Sequence, residues 1–583
     1  MSDQKDGFCT KRTGKRRKLV YKRGMKYASV QIWYGSQTGT TAEAALTLYH
    51  LCLAQGFAAS LSPLLALPAP APGLHIFLIS TTGDGEPPRP VSAFWTQLMS
   101  GALPTDYYSQ VQFTVFGLGD SSYQHFNLTA RRLWARMKQL GAVAFYRKGL
   151  GDEQHDFEYE GELDPWMEGL WTEVGSRVEI GEKRQSIERR WTVGASAQGN
   201  ACTARGETSG IVLQKRLLTQ GHKEVYQVLI SSPADYPIGA ICDLYPHNSP
   251  LLVQQLSNLL QIDLNQTLSL QSQANSGLPA CFSFTSSLSS LLQSWLDLHK
   301  QPTRRGIALL LPYVTDSVQV EKLESMICNT TEGRSEFYRY ITKEKRCLSE
   351  ILWDFQSVKR VEIADLVEIE GILAPRSYSI ASVPGQGIIE LLISIKSSTT
   401  PFGRQVTGLS SQYIQRIQPG DILKFDLRPG SLPLPPPDSH ILLVACGSGI
   451  AAFWPFVQLR TSQGVGGNML FYGCRTKECW LYGEEMKAME GKGLLELETV
   501  FSREVQGRRY VQHRIRDRAE RVAEALVTFD AWVYICGQAR GFPADVESAI
   551  QSTLCAHYDF SPEEAAEFLK SRKSAGKYHV ECW

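Results

Sequence analysis

The sequence predicts a multidomain protein in which two α/β units flank an antiparallel β-barrel carrying a helical insertion. Three observations predict it. In the first third, three β-forming apolar runs each end in a polar, glycine-rich loop. In the middle, short alternating strands are interrupted by amphipathic helical sequence, and near residue 440 a buried strand runs into GSGIAA and a second α/β texture. At 583 residues the chain exceeds what one core fills, so about three or four domains are expected.

Residues 1–27 form the first element. Eight basic residues fall within the thirteen of KRTGKRRKLVYKR at 11–23, which reads as a solvated, disordered tail, with a nuclear address or an electrostatic docking arm as the alternatives. The net charge of +1 argues against a nucleic-acid or acidic-lipid partner for the chain as a whole. No apolar secretory segment follows Met1. The uncharged stretch between Glu43 and Asp84 is broken by Pro63, Pro68, Pro70 and Pro72, with His50 and Gln55, so it reads as an amphipathic helix, a loop and a buried strand rather than an integral membrane segment. Thirteen cysteines without a CxxC pair suit the reduced thiols of a cytoplasmic protein, and Cys474 with Cys479, lacking a nearby histidine, predicts no metal site.

In the segment 28–175, Val30 to Trp33 leads into YGSQTGTT, Ile76 to Ile79 into STTGDGE, and Val111 to Phe116 into GLGDSSYQHFN. The first loop offers backbone N–H groups from Gln37, Thr38, Gly39 and Thr40 and hydroxyls from Ser36, Thr38, Thr40 and Thr41, with a helix start behind them. That is an anion cradle without a counter-cation. GxxxxGK followed by Ser or Thr is absent from the chain, so a monoester phosphate fits better than a nucleoside triphosphate. Gly83 and Gly85 allow close backbone approach, and Tyr123 supplies an aromatic plate against which a flat ring could lie.

With GLGDEQHD continuing the series at 149–156, this segment resembles a flavodoxin-like FMN domain. The resemblance implies that Ser36, Gln37, Thr38, Gly39, Thr40 and Thr41 hold the FMN phosphate. It implies that Thr82, Gly83, Asp84 and Gly85, together with Gly117, Leu118, Gly119, Tyr123, His125, Phe126 and Asn127, wrap the isoalloxazine, Tyr123 stacking on it, and that Asp152 lies near the ribityl chain. Seven carboxylates crowd residues 152–164, either a solvated acidic loop or a patch that steers a basic electron acceptor.

Residues 176–210 lose hydrophobic periodicity and read as a hinge between domains. Alternating strands are expected over 211–243 and again over 366–428, with an all-helical insertion at about 250–360, the whole barrel segment spanning 211–435. Within it, RSYSIAS at 376–382 places Arg376 to neutralise a diphosphate, Tyr378 as a ring face, and Ser377 and Ser379 as hydroxyls. GLSS, which is Gly408, Leu409, Ser410 and Ser411, opens an expected helix from Ser411 to Ile417 whose N-terminus favours a second phosphate group. As a pair these motifs resemble the FAD site of the ferredoxin-reductase family.

In the last segment, 436–583, ILLVACGSGIAAFWPF carries Gly447, Ser448 and Gly449 in a GxGxxA turn between strand and helix, supported by FYGCR at 471–475, FSRE at 501–504 and YICG at 534–537. Ser502, Arg503, Arg508, Tyr510 and Gln512 supply cations and a ring face without a carboxylate for a ribose hydroxyl, which favours NADPH over NADH. The whole of 28–583 resembles the diflavin reductases, relatives of the microsomal cytochrome reductases. That likeness implies that Trp583 covers the FAD ring, and that Ser379, Cys536 and Glu581 line the flavin N5 and nicotinamide C4. Four positions depart from the family pattern: Ala452 stands for proline, Trp454 for an arginine that aids pyrophosphate binding, Gln538 for an acid, and Trp480 for an aspartate. One lost cation of this kind costs roughly 1.5–3 kcal/mol.

The compact form, DPW at 164–166 and the glutamate near the terminal tryptophan are similar to the branch that serves cytosolic iron–sulfur cluster assembly. The implied function is electron transfer from NADPH to FAD to FMN and on to an anamorsin-type iron–sulfur protein in the cytoplasm, with a nuclear pool if the basic tail is an address. A haem or cobalamin protein as acceptor, or a flavin-binding scaffold with a weakened NADPH site, are the alternative readings.

Overall fold

The computed structural model describes residues 26–582 apart from 83–84, 124, 184–188, 196–205, 207, 220–222, 273–282, 329, 505–507 and 539–540. The expectations for most of the basic tail, for Gly83 and Asp84, and for Trp583 therefore lie outside the described residues.

The first unit is a parallel sheet in the order Ala59–Pro63, Val30–Gly35, Gly73–Ser80, Val111–Gly119, Val143–Ala144, with Gly149–Asp152 also pairing Val111–Gly119. Its central strands are continuous apolar runs because helices cover both faces. Leu48, Leu53 and Leu170 of helices Thr40–Ala54 and Glu160–Gly175 pack with Ile32, Ile76 and Phe116 on one face. Phe94, Leu98, Leu133 and Met137 of helices Ser92–Met99 and Leu128–Gln139 pack with Phe77, Ile79 and Phe113 on the other. Strand order reverses between Val30–Gly35 and Gly73–Ser80, which opens a crevice at their carboxyl ends. The uncharged stretch becomes a helix and a buried strand as expected, with the short strand Ala59–Pro63 between them. Among the described residues no helix is long and apolar enough to cross a membrane.

The second unit is a six-stranded antiparallel sheet, ordered Arg376–Ser379, Ile241–Leu244, Ile422–Arg428, Thr208–Leu217, Val225–Ser231, Ile388–Ser394. A bridge between Ile380 and Leu391 brings its two ends together, so the barrel is nearly closed around Val212, Val228, Leu244, Ile389 and Phe425. The sheet resumes at Arg376 rather than 366, because Ile363–Glu370 is a buried helix. The insertion is not all-helical either. Thr267–Ser272 and Ser283–Ser287 pair antiparallel, and Thr267–Ser272 also pairs on its other side with Trp191–Ala195, drawn from the stretch expected to be a tether. Period-two burial explains both: Leu268 and Leu270 face the insertion's core, and Trp191 enters it at 3% exposure. Arg189 and Arg190 fasten the start of that strand to Asp365 (2.8 Å) and Glu368 (2.8 Å).

The third unit is a parallel sheet ordered Glu496–Phe501, Asn468–Cys474, Ile441–Cys446, Trp532–Gly537, Tyr578–Cys582, again with an apolar cluster on each face.

The first unit docks on the insertion through buried charges. Arg305 bridges Glu43 (3.1 Å) and Glu368 (3.4 Å), while Arg304 meets Asp164 (2.7 Å) and Glu160 (3.2 Å), and Arg334 also reaches Asp164 (3.3 Å). Part of the acidic segment 152–164 is thus committed inside the molecule. Burial holds the Glu160 carboxyl up at about 7 in spite of Arg304.

Candidate functional site

Two cavities lie at the junction of the three units. The smaller, about 410 Å³, sits in the crevice of the first sheet. Gly39, at φ +102°, precedes helix Thr40–Ala54, which has no side-chain cap, so its first-turn amides are free for an anion. The Ser36 hydroxyl accepts from the Gly39 N–H at 3.0 Å, Thr38 and Thr40 hydroxyls stand 3.4 Å apart, and the Thr41 hydroxyl is buried without a partner. Free amides with an orphaned hydroxyl fit a phosphate. Gln37 instead accepts from the N–H of Arg89 at 2.8 Å, tying the first loop to the second.

The second and third loops are pressed together. A Cβ at Gly85 would stand 2.8 Å from His125 Cβ, and one at Gly117 would stand 2.5 Å from Asn127 Oδ1. Asn127, at φ +52°, donates to the Gly151 carbonyl at 2.9 Å and leaves its Oδ1 buried and unpartnered. Thr82 bonds back to the Glu86 carbonyl at 3.2 Å. Leu118, Gly119, Tyr123, His125 and Phe126 then line the cavity. The Asp152 carboxylate accepts from the N–H groups of Ser121 (2.8 Å) and Gln154 (3.0 Å), clamping the third loop. Burial works against its ionisation, but these bonds hold its pKa below the usual carboxylate range. Glu153, which the sequence reading did not single out, lines the cavity beside it.

The larger cavity, about 700 Å³, lies between the barrel and the third unit, lined by Arg376 to Ser379 and Gly408 to Ser411. Gly408 precedes helix Leu409–Arg416, again without a side-chain cap; the helix begins two residues before the expected Ser411 because leucine and serine continue its turn. Tyr378 and Ser410 hydroxyls are 2.7 Å apart, and the Ser411 hydroxyl accepts from the Lys396 N–H at 2.9 Å. Strand Ile241–Leu244 pairs on both sides, so Ser379 and Arg428 flank Ile241 in register. Ser377 donates to Asp243 at 2.5 Å, Arg428 pairs with the same carboxylate at 2.6 Å, and Arg376 is 3.6 Å from Asp297. Guanidinium groups and free helix amides fit a diphosphate. Lys396 and Arg428 line this cavity too; Arg428 ends strand Ile422–Arg428 and Lys396 lies in the link between Ile388–Ser394 and Ser397–Thr399, both outside the two motifs.

At one wall, the Ser379 hydroxyl donates to Glu581 Oε1 at 2.9 Å and Ser431 to Oε2 at 2.7 Å. Parallel register sets Glu581 beside Cys536 on the neighbouring strand. Cys536 is fully buried; burial first, then Glu581, pushes its thiol pKa far up, so it presents S–H and not thiolate. Cys582, the next residue, lines both cavities.

The GSG turn forms the floor. Gly447 takes φ +56°, and a Cβ at Gly449 would stand 2.5 Å from the Cys536 carbonyl oxygen. Ser448 lines the larger cavity and accepts from Ser394 at 3.1 Å. Ser502 and Arg503 donate their N–H groups to Cys474 and Arg475 at 2.9 Å, and Gln512 donates to Asp545 at 3.2 Å. Arg503, Arg508 and Tyr510 are exposed and line neither cavity. Trp454 is wholly buried, its ring stacked on Tyr482 at 4.5 Å and 10°.

Comparison with known proteins agrees with this division. The family model described as Flavodoxin matches residues 32–166, FAD binding domain matches 228–413, and Oxidoreductase NAD-binding domain matches 443–547. The NADPH-dependent diflavin oxidoreductase 1 of Arabidopsis thaliana is 30% identical over 96% of this chain and 100% of its own length, and that of Xenopus laevis 29% over 96% and 100%. The NADPH–cytochrome P450 reductase of Sus scrofa is 28% identical over 95% of this chain and 88% of its own. An end-to-end match at this identity, on a chain whose cavities suit a phosphate and a diphosphate, means that the chain belongs to the NADPH-dependent diflavin oxidoreductases, enzymes with FMN, FAD and NADPH as cofactors.

Proposed function

We propose that the chain carries electrons from NADPH through FAD and FMN to an anamorsin-type iron–sulfur protein of cytosolic cluster assembly. The supporting observation is the wall at Cys582 shared by the two cavities, which brings the rings they would hold close together. Bound flavins accept a two-electron equivalent from the nicotinamide and release it singly. The chain's own residues do the positioning, over proposed domains of 28–175, 211–435 and 436–583 with 176–210 between. Ser36 to Thr41 hold the FMN phosphate and Tyr123 faces its ring. Arg376 and the Gly408–Ser411 helix start hold FAD. Glu581 takes the hydrogen of the Ser379 hydroxyl and so fixes that oxygen at the cavity wall, while the protonated Cys536 backs Glu581 from the neighbouring strand. Arg503 and Arg508 serve the NADPH phosphate.

The similarity to cytochrome P450 reductases favours a haem protein as the second reading. Steady-state transfer from the NADPH-reduced enzyme to an anamorsin-type protein and to a cytochrome decides between them. Faster reduction of the iron–sulfur protein is expected; an equal or faster cytochrome rate would sink the preference.

A further inference from the structure

The larger cavity is walled by the barrel and the third unit, yet Arg89 of the first unit also lines it. Arg89 opens the turn Arg89–Val91 ahead of helix Ser92–Met99. Pro88 and Pro90 restrict the backbone on either side, and its N–H is held by Gln37 of the phosphate loop at 2.8 Å. The residue is therefore anchored to the phosphate loop of the first unit while lining the larger cavity.

Its charge has no protein partner there. Arg376 and Arg428 face Asp297 and Asp243, whereas Arg89 makes no ion pair among the described residues. An unpaired guanidinium in a cavity that also holds the free amides of a helix start suits an anion that the cavity takes up.

We propose that Arg89 binds the diphosphate of the dinucleotide held in the larger cavity, so that FAD itself fastens the first domain to the other two. This rests on reading that cavity as the FAD site. Swinging the first domain away breaks the contact, so FAD affinity and domain closure are coupled, and each must change the other by the same factor.

The full-length protein, stripped of flavin and titrated with FAD and separately with FMN by fluorescence quenching, tests it. Arg89→Ala should weaken FAD binding by about tenfold or more, the effect of one charged hydrogen bond. Arg89→Glu should weaken it further, Arg89→Lys should restore most of it, and FMN binding should not move. Small-angle scattering should show FAD compacting the wild type but not Arg89→Glu. An FAD dissociation constant for Arg89→Ala within about twofold of wild type, or an equal loss of FMN affinity, would overturn the proposal. A wild-type chain that takes up FMN but no FAD would instead overturn the reading of the cavity.

Discussion

Trp454 shows how one residue can satisfy a motif's geometry while abandoning its chemistry. It begins helix Trp454–Ser462 directly after the GSG turn, where an arginine would be well placed for a pyrophosphate. In this chain the side chain turns inward, wholly buried, and stacks on Tyr482, whose hydroxyl donates to Glu390 at 2.7 Å. Supplying the missing cation by Trp454→Arg would put a charge into that cluster and remove the stack. The expected result is a loss of about 3 kcal/mol or more of stability in the third domain, seen as a lower thermal midpoint, with no lowering of KM for NADPH. A soluble Trp454→Arg protein with an unchanged midpoint and tighter NADPH binding would show that the ring is dispensable and the site merely lacks its arginine. Serine and glutamate tell the opposite story: Ser379 and Glu581 lie about two hundred positions apart in sequence yet are bonded at 2.9 Å, and the resemblance to the diflavin reductases pointed to both.

At the scale of elements, the reacting wall depends on strand Tyr578–Cys582 keeping its register with Trp532–Gly537. A slip of one residue would turn Glu581 to the other face of the sheet. Gly449 sits against that pair, and the atom a Cβ would strike is the Cys536 backbone oxygen, which cannot rotate away. Gly449→Ala is therefore expected to cost about 2 kcal/mol and to slow anaerobic reduction of FAD by NADPH, while FMN content stays at the wild-type level. Normal FAD reduction in a fully stable Gly449→Ala protein would show that the contact yields. What was legible follows the same physics. Parallel strands buried on both faces leave apolar runs, so Val30–Gly35, Gly73–Ser80 and Val111–Gly119 stood out, each with its loop. The hairpin Thr267–Ser272 with Ser283–Ser287 did not, because its serines leave little apolar alternation, nor did Trp191–Ala195 inside a polar stretch, whose partner strand is 75 residues away in sequence. Arg89, Lys396 and Arg428 escaped for that reason too: a cavity wall made by three units has no local pattern.

For the molecule as a whole, the decisive surface is the one between the first domain and the insertion. Glu43 belongs to the first turn of the helix behind the phosphate loop, so the same element that cradles an anion also carries the docking charge. Burial alone would raise its pKa from 4.5, but Arg305, then Lys300 and Arg190, pull it down to about 2. A carboxyl depressed in the docked state stabilises that state fully above its ordinary pKa, and the contribution fades as pH falls from 4.5 towards 2. Glu43→Gln removes it at every pH. Arg305 keeps Glu368 at 3.4 Å in the variant, so the loss should be smaller than for an orphaned buried charge, about 2 kcal/mol. Energy transfer between a dye on the first domain and one on the insertion, followed through a urea titration, reads the docking directly. The wild type should hold to higher urea than Glu43→Gln at pH 7, and the two curves should converge as the pH approaches the depressed value. Separation that persists unchanged to low pH would mean that the glutamine disturbs packing and that the charge is incidental. Because an electron acceptor must reach the face of the first domain that the closed arrangement turns inward, the same substitution should raise transfer to a bulky protein acceptor even as it slows transfer between the two flavin sites.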